Sequence, residues 1–423
     1  MLIHAFPRRA VLAGLAAAPV LAACPGRAAP LDPQSDADQS AALQAALDAA
    51  PGRLSLPAGR FRVSTLRLPS NLVVEGVPGA TWLIARGAAV ATLSGAANVV
   101  LRDLGFAGDS GTDPLLGIAA STAISLERCL FRDNPGIGVG LSESAATIAD
   151  CDFSGHGDAA IHAMDGKGLL ATGNRIARCG NAGIRVWRGE SGEDGTILVN
   201  NRIAGIDWRG GGNGQNGNGI NIFRADAVIV SGNHLENCAF SAIRLNATNN
   251  CQVSTNQCLA SGEVAIFSEF AFSGSIIANN LVDGAAAGIS ITNFDVGGHL
   301  AVCNGNIVRN IAPASRVNPD TSPVGIFAEA DCAITGNVVE NVPGPAIGAG
   351  WGPYLRNVLV ADNVVTGSRI GIAVSLADGA GPVTLSGNSI DAEDHAIAGM
   401  LWTEIAEPDL LAAAGRYPHV QVK

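Results

Sequence analysis

The chain has 423 residues, 15% of them charged, and a formal charge of −11. Hydrophobic residues make up 48%, which excludes a disordered chain, since disorder goes with high charge and low hydrophobicity. The first 29 residues carry three arginines (Arg8, Arg9, Arg27) and no acid; the other 23 basic residues against 37 acids leave −14. That balance excludes a general nucleic-acid binder, which needs a basic face to displace counterions.

Residues 1–29 read as an export signal. Arg8 and Arg9 precede a weakly apolar run, Ala10 to Ala23. That run is too short to span a bilayer, and paired arginines in this position resemble the twin-arginine signal of bacteria. Cys24 closes the lipobox-like "LAAC"; either it becomes the lipidated first residue, or cleavage falls near Ala28 or Ala29. Localisation then follows as periplasmic or membrane-anchored, with no transmembrane span in the mature protein.

Residues 30–98 read as a cap and the first coils. "SDADQSAALQAALDAA" predicts a helix started by Asp36 or Asp38, with Leu43, Ala46, Leu47 and Ala50 on one face. "LSLPAGRFRV" then begins the strands.

From 99 to 400 one phrase returns about every 25 residues, the mark of a solenoid. Asn174, Asn201, Asn233, Asn256, Asn280, Asn306, Asn337, Asn363 and Asn388 fall in register, with Leu104, Cys129 and Cys151 upstream. Apolar residues alternate after each Asn, again in Gly-Ile-x-Val, and again before the next Asn, which is a strand pattern. Three short strands per copy predict an all-β fold, a single-stranded right-handed parallel β-helix of about 12 coils with an N-terminal capping helix. The Asn column is expected to take the left-handed conformation of a sharp turn and to hydrogen-bond from coil to coil. Cys179 and Cys238 are expected two coils apart, beyond disulfide reach, while Cys129 and Cys151 sit one coil apart. Most of the thiols are expected to be buried. Residues 401–423 read as a C-terminal cap, a short helix from near Pro408 to Gly415 and an extended tail.

With the paired arginines and the Gly-Asn repeats, the chain resembles the bacterial twin-arginine-translocated repetitive proteins, and its opening resembles proteins of the pectate-lyase-like β-helix fold. The resemblance implies fold and export but no defined reaction; the wider superfamily includes polysaccharide lyases, hydrolases, epimerases and proteins that only bind.

Candidate chemistry lies on the outward positions of the Gly-Ile-x-Val strand. One column reads Gly138, His162, Arg185, Asn221, Arg244, Phe267, Ser290, Phe327, Gly348, Ala373; its neighbour reads Gly140, Met164, Trp187, Phe223, Asn246, Glu269, Thr292, Glu329, Gly350, Ser375. Insertions 207–218 and 312–322 precede this strand, and 188–194 and 350–357 follow it, bringing Trp208, Trp351 and Tyr354 to form walls around a groove. Arg forks recognise carboxylate or sulfate, and aromatic faces suit sugar C–H groups. Catalytic candidates are therefore His162, Arg185, Arg244 and Glu269, and substrate-binding candidates are Trp187, Asn221, Phe223, Trp208, Trp351 and Tyr354. A uronate lyase or epimerase would use His162 or an Arg as base. A hydrolase would need two carboxylates, and Glu269 and Glu329 stand two coils apart, about 9.6 Å at the backbone. "GHGDAAIHAMDGK" gathers His156, Asp158, His162, Asp165 and Lys167 without diagnostic ligand spacing and reads as a polar turn. No cofactor motif is evident; calcium at the loop acids Asp226, Asp295 and Asp331 is compatible but not indicated. The expected partner is a polysaccharide or envelope glycan, bound and either cleaved or epimerised; the alternative is a non-catalytic envelope protein.

Overall fold

The computed structural model describes residues 31–423. Arg8, Arg9 and Cys24 lie outside them. The chain winds as a parallel β-helix with three faces. Face A carries the strands that precede the ladder Asn, 15 of them in one sheet. Face B carries the strands that follow the Asn, and face C the Gly-Ile-x-Val strands. Faces B and C join as one 27-stranded sheet, because strands such as Val364–Ser375 run through the corner between them unbroken. The column counted from Leu104 leaves out the coils built by residues 53–102, so the solenoid exceeds the expected 12 coils, with about 14 turns.

The core follows from the period-2 alternation. On face C the first apolar position stacks Ile161, Ile184, Ile220, Ile243, Ile266, Ile289, Ile326, Ile347, Ile372 and Ile397 in direct register. A fully buried side chain of this size stabilises by about 1.5–3 kcal/mol relative to an exposed one. On face B, Phe106, Phe131 and Phe153 stack inside, with centroids 4.8 and 4.6 Å apart. All eight described cysteines are free and buried. Cys179 and Cys238 are separated by Ile206, as their spacing implies, and the Cys129 amide donates to Cys151 Sγ at 3.3 Å.

The Asn column corrects the expectation in one respect. The left-handed residue is the one just before it: Gly173, Asn200, Gly232, Thr255, Asn279, Gly305, Gly336, Asp362 and Gly387 all have φ between 56° and 67°. Asn174 to Asn363 are instead buried, pointing inward. Each donates Nδ2 to the next ladder Asn Oδ1 at 2.9–3.0 Å and to a carbonyl one coil back. The turn demands φ > 0 of one residue, and the next residue satisfies the backbone polar groups that the corner buries.

The N-terminal helix is Ser40–Ala49, with Leu43 and Leu47 buried over the first coil. Neither aspartate is the N-cap: that position is Gln39, whose side chain caps nothing, while Asp38 Oδ1 accepts from the Ser40 amide at 2.8 Å just ahead of the helix and Asp36 pairs with Arg62. At the other end Asp409 caps Leu410–Ala413, accepting from the Ala412 amide at 3.1 Å. Val420–Val422 then joins face A beside Val383–Leu385. Ser389–Leu401 still pairs in parallel with the coil above it, but Glu404–Glu407 folds back on it as an antiparallel hairpin that leaves the repeat and was not legible in the sequence. Among the described residues no helix is long and apolar enough to cross a membrane.

Candidate functional site

Face C presents the two outward columns much as expected. His162, Arg185, Asn221, Arg244, Phe267, Ser290, Phe327, Gly348 and Ala373 are in direct register. So are Met164, Trp187, Phe223, Asn246 and Glu269. One coil differs: Gly140, not Gly138, pairs with His162.

The upper half of these columns is closed. Arg185 is buried; its guanidinium donates to Asp158 Oδ2 at 2.9 Å and to Asn216 Oδ1 at 2.8 Å, and it lies 5.0 Å from the Trp187 ring centroid. Trp187 Nε1 donates to Asn221 Oδ1, and Asn221 Nδ2 reaches the Gly214 and Gln215 carbonyls at 3.3 and 3.2 Å. The 207–217 insertion is thereby bonded down over Asn221 as a lid. Gly214, at φ 126°, lies so close to Arg244 that a Cβ there would stand 2.3 Å from its Cζ. Trp208 packs on Phe240 at 5.0 Å and donates to Gly212 O within its own loop. Phe223 lies edge-on to Trp187, 6.3 Å away. The expected wall 188–194 is mostly strand: Ala182–Glu193 continues past a register shift after Trp187.

His162 meets Trp187 edge-on at 5.2 Å, and its Nε2 has no partner. Burial, and then Arg185, pushes its pKa down to about 4, so it is neutral at pH 7. Burial also holds His156 down at about 4. Both must take a proton in the unfolded chain near pH 6.5 before they can in the folded one. Stability is therefore expected to fall as pH drops from about 6.5 towards 4. The unfolding midpoint of a His156→Gln, His162→Gln variant should show a shallower decline over that window; an unchanged slope would contradict the assignment.

The open space lies lower on the same face. A cavity of about 760 Å³ runs from Arg244 to the C-terminal hairpin. Its floor is Phe267, Ser290, Phe327, Gly348 and Ala373; one wall is the 320–324 segment of the second insertion, and Trp351 and Trp402 close its lower end. These two indoles meet edge-to-face at 5.3 Å, and Gly352 is held against the Trp402 ring, where no side chain would fit. Of the expected residues, Arg244, Glu269 and Trp351 line this cavity; His162, Arg185, Trp187, Asn221, Phe223, Trp208 and Tyr354 do not.

Arg244 is not a free guanidinium. Nε and Nη2 donate to both oxygens of Glu269 at 2.6 and 2.9 Å, and Nη1 donates to Glu263 Oε2 at 2.9 Å. Its Cζ sits 4.9 Å from the Phe267 centroid. Glu263, which sequence reading missed, lies at the turn before the strand rather than in a column. Its Oε1 accepts from Asn318 Nδ2 at 2.8 Å, and Ser315 Oγ donates to Gly262 O at 2.7 Å, so this carboxylate pins the second insertion in place. Glu329 accepts from Thr292 Oγ1 and from the Phe294 amide, both at 2.7 Å. Burial pushes the carboxyls of Glu269 and Glu329 above their ordinary range despite these donors. Among the described residues no cluster of three or more His, Cys, Asp or Glu is placed to hold a metal.

Residues 116–210 match a family described as "Right handed beta helix region". The chain is a right-handed parallel β-helix. No curated protein matches its sequence. Among solved structures it is similar to a PL6 alginate lyase in complex with a trisaccharide, at 13% identity, TM-score 0.55, covering 91% of this chain and 93% of that one. It is also similar to the tailspike gp61 of Pseudomonas phage phi297, at 10% identity, TM-score 0.57, covering 85% and 74%. The N-terminal fragment of gene product 12 of bacteriophage Phi29 matches at 15% identity, TM-score 0.55, covering 86% and 66%. Likeness at these identities concerns the winding of the chain; chemistry rests on the cavity.

Proposed function

We propose that the lower half of face C binds a glycan and hydrolyses it, with Glu329 as general acid and Glu269 as the base that activates water. The observation that carries this is the 760 Å³ groove, in which aromatic residues and two carboxyls raised by burial converge. A carboxyl raised by burial takes up a proton more readily than a free one, and in its protonated form it can deliver that proton to a leaving oxygen. The two glutamates are separated by one intervening coil, so about 9.6 Å at the backbone, near the upper limit of the 6.5–9.5 Å of inverting hydrolases. Uronate lyase or epimerase chemistry is less well supported. Arg244 is already neutralised by two carboxylates, Arg185 is under the 207–217 lid, and His162 is a weak base outside the groove. The glycan would be met outside the cytoplasm, a reading supported by Arg8 and Arg9, with Cys24 as the point of anchorage if it is lipidated.

The test incubates purified protein with a polysaccharide panel and follows new reducing ends, with absorbance near 235 nm for unsaturated products. Glu329→Gln and Glu269→Gln are each expected to lower reducing-end release by about a hundredfold or more. Trp351→Ala and Trp402→Ala are expected to weaken binding about tenfold while leaving the fold intact. Unsaturated products would replace hydrolysis by elimination. Binding without any product would leave the groove and remove the catalytic roles.

A further inference from the structure

The groove has a sign. The ionisable residues lining it are Glu263, Glu269, Asp320 and Glu329 against Arg244 and Arg369. Both guanidiniums are already committed. Arg244 is held by Glu263 and Glu269, and Arg369 pairs with Asp394 at 3.0 Å. Among the described residues Glu329 has hydroxyl and amide donors but no cation, and no ion pair engages Asp320. A ligand in this groove therefore meets carboxylates without cationic partners, Asp320 in the loop before the strand and Glu329 after it, and apolar rings one coil on from Glu329, where Trp351 and Trp402 stand exposed beside Ile370, Met400 and Ile405.

We propose, building on the glycan-binding reading, that the substrate class is a hexosamine polymer with free amino groups. An ammonium carries three donors and no acceptor, which suits carboxylate oxygens that have no cationic partner. The flat apolar face of the pyranose ring suits the paired indoles, which separates this ligand from a simple polyamine. A polyuronate would bring like charge against Glu329 and Asp320 with no guanidinium left to receive it, and such a juxtaposition acts against the wrong partner. An N-acetylated chain keeps the ring contacts and loses the charge pairing.

Calorimetric titration of the protein with the tetrasaccharides of glucosamine, N-acetylglucosamine and mannuronate, in low and in high salt, tests this. The glucosamine tetramer is expected to bind at least tenfold tighter than its N-acetyl counterpart, with the difference shrinking as salt rises. Glu329→Gln should reduce that preference to about threefold or less, and Asp320→Asn, an exposed loop change, should weaken the glucosamine tetramer about threefold. Equal affinity for the two hexosamines, tighter binding of the mannuronate, or no binding of the glucosamine tetramer would overturn the inference. The groove reading fails separately: if Trp351→Ala and Trp402→Ala leave the binding of every glycan unchanged, the cavity is not the binding site. If they abolish binding that has no preference for amino groups, the groove stands and only the amino sugar falls.

Discussion

Replacing Arg244 with methionine is expected to destabilise the protein by about 3–5 kcal/mol at pH 7, seen as a lower urea midpoint. The substitution leaves an apolar side chain beside Phe267, loses the guanidinium over its ring, and removes five donors from a buried position. Glu263 and Glu269, both with side chains 3% exposed, would be left as two uncompensated carboxylates facing one vacated site. Glu269 would respond by holding its proton more firmly, because burial and the neighbouring carboxylate both disfavour its charged form. The sign of the pH dependence follows. In the variant the folded pKa of Glu269, already raised by burial, rises further above the unfolded one, so stability is lost as pH climbs from the ordinary carboxylate range through the folded value. The deficit should therefore shrink at pH 5. A triple variant, Arg244→Met, Glu263→Gln, Glu269→Gln, removes all three charges and should recover most of the loss. A single variant within 1 kcal/mol of the parent, or a triple variant no better than it, would mean that the cluster does not hold this region together.

That cluster marks where sequence reading stops. The solenoid, its three strands per coil and its columns were legible because each coil repeats one requirement: alternate apolar residues, a left-handed turn residue, an inward Asn. Even the single error of register keeps parity. "NPGIGVG" offers Ile137 and Val139 as equivalent starts, and a slip of two residues leaves every side chain on its own face. The groove obeys no such repeat. Its wall depends on Asn318 reaching Glu263 and Ser315 reaching Gly262, contacts 55 and 53 residues apart in a loop that no other coil has. Trp402 lies at the tip of a hairpin whose second strand departs from the repeat. Arg185, Arg244 and Glu269 were legible as outward-facing, but the other carboxylates that neutralise the two arginines, Asp158 and Glu263, stand at turn positions next to the strand, outside the columns. Outward on a strand therefore did not mean open to a ligand, because two insertions of similar length do opposite things: 207–217 covers its coil, and 312–323 stands aside as a wall.

The interior ladder yields the second large effect. Asn256→Ala is expected to cost about 3–5 kcal/mol, counting the buried groups it leaves without partners. Asn256 Oδ1 accepts from both the amide and Nδ2 of Asn233 at 3.0 Å. Its own Nδ2 donates to Asn280 Oδ1 and to Val230 O at 3.0 Å. Alanine removes all four bonds. No water-sized substitute has an obvious route in, since Asn233, Asn256 and Asn280 are each about 1–2% exposed. Asn280 Oδ1 keeps one donor, the backbone amide of residue 256 at 3.0 Å, and Asn233 Nδ2 keeps the Leu198 and Ser231 carbonyls, so the donor left without its partner is the Asn233 amide. Asn388→Ala removes a comparable set at the ladder's lower end, where Asn363 donates its amide and Nδ2 to Asn388 Oδ1 and Asn388 Nδ2 reaches Val360 O. Asn388 is only half-buried, and solvent can take over part of what it leaves, so its cost should be about 1–2 kcal/mol. The ordering is the informative quantity, read from urea midpoints of the two variants. If the end variant loses as much as the middle one, the column contributes through turn conformation. If the middle variant loses more, it contributes through the hydrogen bonds that tie each buried corner to the next. The second outcome is expected, because the left-handed turn residue is Thr255 and not Asn256.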